Sequence, residues 1–388
     1  MSTTRRILSL DLVRGAVMVL MAIDHVRVYA GVPAGGPMPG VFFTRWITHF
    51  CAPAFVFLAG TSAYLYGRKV GSRTALAKFL VIRGLWLVLL ELTLLRFAWT
   101  FNFDYANFTF AGVIWVIGWS MVILAALQFL PSRVVAAIGV AIIVGHNAVG
   151  PNAFGPNLGG GDSASWLQRV LYAGWTFQLA GLGWTVVVLY TLIPWVGVMA
   201  AGYGFGEVMQ LAPEKRRRLC LAIGIAAVLL FIILRATGIY GDPRSWQPSG
   251  QQPSALGFLN TTKYPASLLF LLMTLGPVLI ILQFLENAHG RVARWLSVFG
   301  HVPFFYYLLH IPFIHLVAVL ISLVRTPDST GWLIGNHPMM PADVPPGYMW
   351  SLPMLYLVTA LVVITLYFPC RWFARQKVEA RRRWMQFL

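Results

Sequence analysis

Long apolar stretches alternate with short polar segments along the whole chain. An α-helix needs about 20 mainly apolar residues to cross the hydrocarbon layer of a membrane. Ten stretches are predicted to be such helices: residues 8–30, 46–67, 76–97, 109–130, 132–147, 184–208, 219–239, 264–285, 298–323 and 350–372. The pattern predicts one all-α membrane domain of about ten transmembrane helices, spanning residues 1–388.

Three polar segments are longer than the others: residues 147–183, 241–263 and 325–348. The first begins with a run rich in Gly, Pro and Asn and continues into residues 166–182, which are mainly apolar and include Arg169 and Gln178. That later part is predicted to be an interfacial or re-entrant helix. Long loops often carry binding residues, so all three segments are candidates for substrate binding.

The composition supports a membrane protein. Hydrophobic residues make up 58% of the chain and charged residues 11%, and the mean hydropathy is +0.72. An ordinary soluble domain is much less apolar and carries about 25% charged residues. The composition therefore excludes a soluble globular enzyme.

The net charge of +17 is placed as in a membrane protein. Basic residues cluster in alternate loops, at residues 5–6, 68–78, 133, 215–218, 291–294 and 371–383. By the positive-inside rule these loops, and hence both termini, are predicted to be cytoplasmic, in agreement with an even number of spans. The charge indicates attraction to anionic membrane lipid rather than binding of a nucleic acid.

The first span carries a polar stripe. Asp11, Arg14 and His25 fall within about 60° of one another on a helical wheel, and Arg14 and His25 lie about 16 Å apart along the axis. Each ionisable group costs roughly 2.5 to 3.5 kcal/mol at the centre of an inserting helix. Such a stripe therefore indicates a functional path that runs partway through the membrane.

His25 is a candidate general base, because imidazole titrates near neutrality. The adjacent Asp24 belongs to the same candidate catalytic group. His49, near the outer end of the second span, could meet His25 if the first two spans are neighbours. The alternatives are a buried, hydrogen-bonded His25 and an interfacial His49.

The ninth span contributes further histidines. His310 is predicted to lie about 16 Å deep, near the level of His25, whereas His315 lies further towards the outer side. Histidines from three helices raise the question of a metal site. No acidic or Cys ligand set with metal-binding spacing accompanies them, so proton transfer is the preferred interpretation and no metal is expected.

Arg14 and Asp11 are candidate donor-binding residues near the cytoplasmic end of the first span. A guanidinium offers a planar fork for phosphate, which suits a nucleotide-bearing donor. The alternative is an i,i+3 ion pair that secures the end of the helix. Four further ionisable residues lie within spans, and interhelical pairing is their preferred interpretation: Glu91, Arg96, Glu207 and Arg235.

The segment NTTKYPASL places Asn260, Lys263 and Tyr264 just before the eighth span. A polar cluster at this outer mouth is a candidate acceptor-binding site. The alternative is a helix cap with a lysine that extends to the interface.

Four segments carry a family resemblance: RRILSLDLVRGAVMVLMAIDHV, HFCAPAFVFLAG, NTTKYPASLLFLLMTLGP and FGHVPFFYYLLHIPFIH. In this order and spacing they resemble the bacterial membrane proteins grouped with heparan-alpha-glucosaminide N-acetyltransferase, over nearly all ten spans. Arg14 and His25 are also similar to the Arg-x10-His signature of membrane O-acyltransferases that modify surface polysaccharides. The first outer loop aligns poorly, so the resemblance does not select the catalytic histidine.

This resemblance implies an integral protein of the bacterial inner membrane that transfers an acetyl group from cytoplasmic acetyl-CoA. The implied acceptor is a carbohydrate or glycolipid on the outer side, modified on a hydroxyl or an amine. Direct transfer is preferred to an acyl-histidine or acyl-Cys51 intermediate. A transporter or flippase of glycans or lipids, a non-catalytic membrane partner and a homo-oligomer are left open.

Overall fold

Each of the ten predicted stretches contains a helix in the computed structural model, which describes residues 7–36, 38–149, 165–179, 181–244, 246, 254–338 and 343–379. The α-helices of the described residues are α1 (Leu8–Tyr29), α2 (Pro39–Trp46), α3 (Cys51–Val70), α4 (Arg73–Leu90), α5 (Arg96–Thr100), α6 (Val113–Leu127), α7 (Ser132–Val149), α8 (Trp166–Gln168), α9 (Leu192–Met209), α10 (Pro213–Thr237), α11 (Ser254–Leu259), α12 (Leu268–Phe284), α13 (Arg291–His301), α14 (Pro303–Arg325), α15 (Thr330–Leu333) and α16 (Leu352–Glu379). Short 3-10 turns cover Ile47–Phe50, Leu285–Asn287 and Pro327–Ser329, and π-helical turns cover Glu91–Leu95 and Arg169–Ala173.

Six helices in the described part of the chain are long and apolar enough to cross a membrane: Pro39–Val70, Leu192–Met209, Pro213–Thr237, Leu268–Asn287, Pro303–Arg325 and Leu352–Glu379. Val113–Leu127 and Ser132–Ala148 are shorter apolar helices. The protein is therefore an integral membrane protein. The total of ten crossings and the orientation of the termini remain predictions.

α1 is the central helix of the bundle. It packs against α3, α12, α13, α14 and α16, so Asp11, Asp24, His25 and Arg27 are all buried within protein. A buried setting of this kind removes ionisable groups from contact with lipid. The polar residues of the first span thus face the bundle interior, as the polar stripe indicates.

Two glycines allow α1 and α13 to approach each other closely. A Cβ atom added to Gly15 would lie 2.0 Å from the carbonyl oxygen of Leu296, and one added to Gly300 would lie 1.8 Å from that of Asp11. Backbone atoms cannot move aside as flexible side chains can. The two glycines therefore set the distance between these helices.

Gly300→Ala is expected to destabilise the protein, because α13 would have to move away from α1. Overpacking of this kind costs about 1–3 kcal/mol or more. Gly145→Ala in α7 is the matched control, since nothing lies within 4 Å of its added Cβ and alanine favours a helix interior by about 1 kcal/mol. Thermal unfolding of both purified variants should show a lower Tm for Gly300→Ala only. An unchanged Tm for that variant would contradict the close crossing.

A small sheet corrects the all-α prediction. Its strands are β1 (Thr109–Ala111), β2 (Trp175–Leu179) and β3 (Trp184–Val188), in the order β1-β3-β2. β1 runs parallel to β3, with Thr109 opposite Val186, and β2 runs antiparallel to β3, with Trp175 opposite Val188.

The prediction of a helix over residues 166–182 is wrong beyond Ala173, where the chain turns into β2. Residues 109–111 and 184–188, predicted to begin the fourth and sixth spans, are likewise strands. A short apolar run of β-branched residues such as Thr185–Val188 suits a buried strand as well as a helix, so apolarity alone does not separate the two.

Of the buried ionisable residues, two arginines anchor loops rather than helices. Arg96 donates to the carbonyl oxygen of Phe108 at 2.7 Å, and Arg235 donates to the carbonyl oxygens of Phe258 and Asn260. Glu91 accepts from the backbone N–H of Ile114. Glu207 of α9 contacts Ser132 and Arg133 of α7, in agreement with the predicted pairing between helices.

His315 also has a structural position. Its Nδ1 lies 3.0 Å from the carbonyl oxygen of Ala98 and its Nε2 lies 2.9 Å from that of Leu333. Nearby, partial desolvation opposes ionisation of Asp104, but hydrogen bonds from Asn336 and Asn107 outweigh it and hold the pKa of that carboxyl below its ordinary value. These contacts fix the loops at the end of the bundle furthest from Arg14.

Cysteine labelling in intact cells tests the predicted orientation. Cys51, Cys220 and Cys370 are buried, so background labelling should be low. Ser163, in the first long segment, lies outside the described residues; Ala106, exposed between α5 and β1, is a described alternative. An impermeant maleimide should modify Ala106→Cys but not Ser72→Cys. The reverse pattern would contradict cytoplasmic termini.

Candidate active site

His25 of α1 and His310 of α14 form a buried pair near the middle of the bundle. His25 Nδ1 lies 2.6 Å from His310 Nε2, and the ring centroids are 4.8 Å apart. His25 is 6% exposed and His310 is fully buried. The structure thus brings together two histidines that are 285 residues apart in the sequence.

Neighbouring carbonyl groups determine which nitrogen of each neutral imidazole carries the proton. His310 Nδ1 lies 2.7 Å from the carbonyl oxygen of Tyr307 and 3.2 Å from that of Tyr306. Because a carbonyl oxygen only accepts, His310 Nδ1 carries a hydrogen and His310 Nε2 is an acceptor. His25 Nδ1 then donates to His310 Nε2, which leaves His25 Nε2 with a free lone pair.

Nothing within the described part of the chain donates a hydrogen bond to His25 Nε2. The ring is held by an edge contact with Trp99, at 4.8 Å between centroids, and by a second edge contact with Tyr307 at 6.3 Å. His310 stacks on Tyr306 at 5.1 Å. An imidazole fixed in this way, with an available lone pair, can accept a proton from a substrate.

Asp24 lies between two arginines. Arg27 Nε is 2.9 Å from Asp24 Oδ1, and Arg45 Nη1 is 3.4 Å from Asp24 Oδ2. Arg27 also donates to the carbonyl oxygen of Val32, and Arg45 to Thr48. The carboxylate of Asp24 is thus engaged as a counter-ion one residue from His25.

His49 lies in the 3-10 turn between α2 and α3, which packs against α1. Its ring makes an edge contact with Phe270 at 5.4 Å, and its buried Nδ1 has no hydrogen-bond partner in the described structure. The first two spans are neighbours, but no contact between His49 and His25 is found among the described residues. His49 instead lies within electrostatic range of Arg45 and Lys263.

The predicted acceptor segment folds against the same region. Lys263 is 7% exposed, and its Nζ lies 5.1 Å from the ring centroid of Tyr264 and 5.9 Å from that of Tyr190. Asp24 and His25 are within electrostatic range of Lys263. The carbonyl oxygen of Asn260 accepts from Arg235 at 2.9 Å, which fixes the loop before Lys263.

A cavity lies on the side of the histidine pair opposite to Asp24 and Lys263, towards the first turns of α1. Arg14 contacts Asp11 at 3.4 Å and donates to the carbonyl oxygen of Leu58 and to Ser62. Asp11 also lies 3.5 Å from His301 Nε2. Asp11 is therefore buried behind Arg14, and the cavity is lined by the Arg14 side chain.

The cavity has a volume of about 480 Å³ and contains three long cationic side chains, those of Arg14, Arg83 and Lys377. Its inner wall includes Met18 and Tyr307. Tyr307 also contacts both His25 and His310. The cavity thus ends beside the residue that holds the histidine pair.

A basic groove of about 680 Å³ adjoins this cavity, and the two share His301, Ala374 and Val378. Four arginines line the groove: Arg291, Arg294, Arg371 and Arg375. Trp295 and Tyr367 stack in it with centroids 6.1 Å apart. Cavity and groove therefore lie next to each other on the Arg14 side of the bundle, and long cationic side chains line both.

Sequence reasoning did not single out Arg83, Lys377, Tyr307 or Arg45. Arg83 lies within the third predicted span, so its position in an apolar stretch was an available signal. Tyr307 and Arg45 gave no such signal, because aromatic residues and flanking arginines are common in and beside spans.

Comparison with known proteins identifies a family. No curated protein matches the sequence significantly. The catalytic family of heparan-alpha-glucosaminide N-acetyltransferase matches residues 6–238, a range that contains Arg14, Asp24, His25, Arg45 and His49 but neither Lys263 nor His310. Because this match covers more than half of the chain, the protein belongs to the heparan-alpha-glucosaminide N-acetyltransferase catalytic family, and it is a membrane acetyltransferase.

Proposed function

We propose that the protein transfers an acetyl group from acetyl-CoA, bound at the Arg14 side of the bundle, to the amine or hydroxyl of a carbohydrate that enters from the opposite side. The family's name supports a glucosamine-type acceptor. The observation that carries the proposal is the position of the His25–His310 pair, where α1 meets α14, between the cationic cavity and the Asp24 cluster.

The cavity and groove suit the two parts of the donor. The pantetheine arm is narrow and largely apolar apart from two amides, which fits a cavity with Met18, Leu87 and Ile117 in its wall. The nucleotide carries phosphates, for which arginine provides paired donors. The four arginines of the groove, together with Arg14 and Arg83, supply such donors next to the cavity mouth.

His25 is the proposed general base. As the acceptor nitrogen or oxygen forms a bond to the thioester carbonyl carbon, His25 Nε2 takes the proton of that nucleophile. The carbon–sulfur bond then breaks, and the leaving sulfur takes the proton from His25 Nε2, which gives CoA thiol and returns His25 to its neutral form. General-base assistance of this kind contributes about 10²- to 10⁴-fold in rate.

His310 and Asp24 are proposed to act through His25. His310 Nε2 fixes the hydrogen of His25 on Nδ1, and Asp24 supplies a negative charge next to an imidazole that becomes cationic. Neither touches a reacting atom in this scheme, so both are positioning residues. His49 is assigned to the acceptor side, near Lys263.

His310→Gln and His310→Leu separate positioning from packing. The Gln oxygen can still accept from His25 Nδ1–H, whereas Leu leaves that donor without a partner. The lost hydrogen bond is worth about 1–3 kcal/mol, which corresponds to a fall in kcat of about 5- to 150-fold. We expect kcat to fall more in His310→Leu, with KM for acetyl-CoA unchanged in both. Equal loss in the two variants would contradict the proposed hydrogen-bond role.

The proposal is tested with purified protein, radiolabelled acetyl-CoA and a panel of amino sugars and neutral sugars. We expect acetylated sugar to form in proportion to CoA released, with an amino sugar among the preferred acceptors. A transporter or flippase would move its substrate with no requirement for acetyl-CoA. Sugar movement without acetyl-CoA, and with no acetylated product, would therefore contradict the proposal.

A further inference from the structure

Three buried cations surround a single carboxylate on the acceptor side of His25. Arg27, Arg45 and Lys263 are 6%, 8% and 7% exposed. Both arginines contact Asp24 directly, and Lys263 lies within its electrostatic range. Arg27, Arg45, Lys263 and Asp24 together carry a formal charge of +2, and the nearby histidines add nothing to it when they are neutral.

A surplus of buried positive charge is unusual. A buried charge is costly unless it is paired and hydrogen-bonded. The oxygens of Asp24 are already shared between Arg27 and Arg45, with no further carboxylate of the described chain in contact with the cluster. The third cation is thus left without a counter-ion.

Lys263 is that cation. In the described structure its Nζ makes neither an ion pair nor a hydrogen bond, and it lies over the rings of Tyr264 and Tyr190. These rings attract a cation but do not neutralise it. Tyr264 also lies within electrostatic range of Arg45, so the lysine and the arginine are both near this tyrosine.

A second polar group nearby is unsatisfied. His49 is 8% exposed and its Nδ1 has no partner in the described structure. His49 lies within electrostatic range of both Lys263 and Arg45. An unpaired lysine and an unpartnered imidazole nitrogen in the same buried region indicate that a polar ligand completes it.

We propose that Lys263, Arg45 and His49 form a subsite for an anionic substituent of the acceptor, namely a carboxylate, sulfate or phosphate carried by the sugar. The inference rests on the proposed function, because it places the substituent next to the sugar whose amine or hydroxyl faces His25. An ammonium and a guanidinium both bind such oxyanions through charge-assisted hydrogen bonds. The protein is therefore selective for acidic over neutral sugars.

The test measures binding without the acetyl donor. The protein is placed in phosphatidylcholine nanodiscs, which exclude anionic lipid, and titrated with glucosamine, glucosamine 6-sulfate or sodium sulfate. We expect glucosamine 6-sulfate to bind about tenfold or more tightly than either glucosamine or sulfate alone, as charge-assisted hydrogen bonds allow. Lys263→Met should reduce that preference to within about twofold, and Lys263→Arg should retain most of it.

Arg244→Met is the matched control, since Arg244 is an exposed cation in the segment that follows α10. Its preference should equal that of the wild type. Equal binding of neutral and sulfated sugar by folded wild-type protein would overturn the inference, as would sulfate binding that is as tight as that of the sulfated sugar. These results leave the proposed function standing if a neutral amino sugar is acetylated, whereas selective binding without acetyl transfer would refute the proposed function alone.

Discussion

His25→Ala is expected to lower kcat and kcat/KM together by about 10²- to 10⁴-fold, while the Kd for CoA stays close to that of the wild type. The size of the loss follows from removal of a general base. The equal loss in both parameters follows because the base assists only the transition state. Steady-state kinetics with radiolabelled acetyl-CoA, together with calorimetric titration of CoA, measure the two quantities.

His289→Ala is the control, because His289 is exposed in the turn before α13. It should leave both parameters unchanged. Full activity of folded His25→Ala protein would end the general-base assignment and transfer it to His310 or His49. A large rise in Kd for CoA would place His25 in donor binding instead.

Arg14→Met is expected to weaken CoA binding about tenfold or more, because it removes a charge-assisted hydrogen bond to a phosphate, worth about 1.5–3 kcal/mol. Methionine retains an apolar stem in the cavity wall, so the α1 packing is kept. The Kd for CoA should also rise with salt in the wild type, since cations at the mouth are partly screened. Calorimetric titration at two salt concentrations gives both results.

Arg133→Met is the matched control for charge at the same end of the bundle. Its side chain is 90% exposed and pairs with Glu207 away from the cavity. It should leave the Kd for CoA unchanged. If Arg14→Met bound CoA as tightly as the wild type, Arg14 would be an ion-pair partner of Asp11 and not a donor-binding residue.

Much of the helical architecture could be predicted, because apolar stretches of span length have few alternatives in a membrane. The polar stripe was also predictable, since Asp11, Arg14 and His25 share a helical face by the geometry of α1. The depth of His310 followed from the same rise per residue. These predictions depend on local geometry, which one segment of sequence contains.

Features that depend on contacts between distant segments could not be predicted. The sheet pairs β1 with a strand about 75 residues away, and Thr185–Val188 is apolar enough to be assigned to a span. The pairing of Arg45 with Asp24 depends on how the turn before α3 packs against α1. The link from the cavity to the histidines depends on Tyr307, an aromatic residue in an aromatic-rich helix.

A structure of the protein with bound CoA tests the central claim, that the donor reaches the histidine pair from the Arg14 side. The account predicts the nucleotide in the groove of Arg291, Arg294, Arg371 and Arg375 with a phosphate bound by Arg14, the arm in the cavity, and the sulfur within a few Å of His25. A nucleotide bound at the Lys263 side of the bundle, or a sulfur far from His25 and His310, would contradict the account.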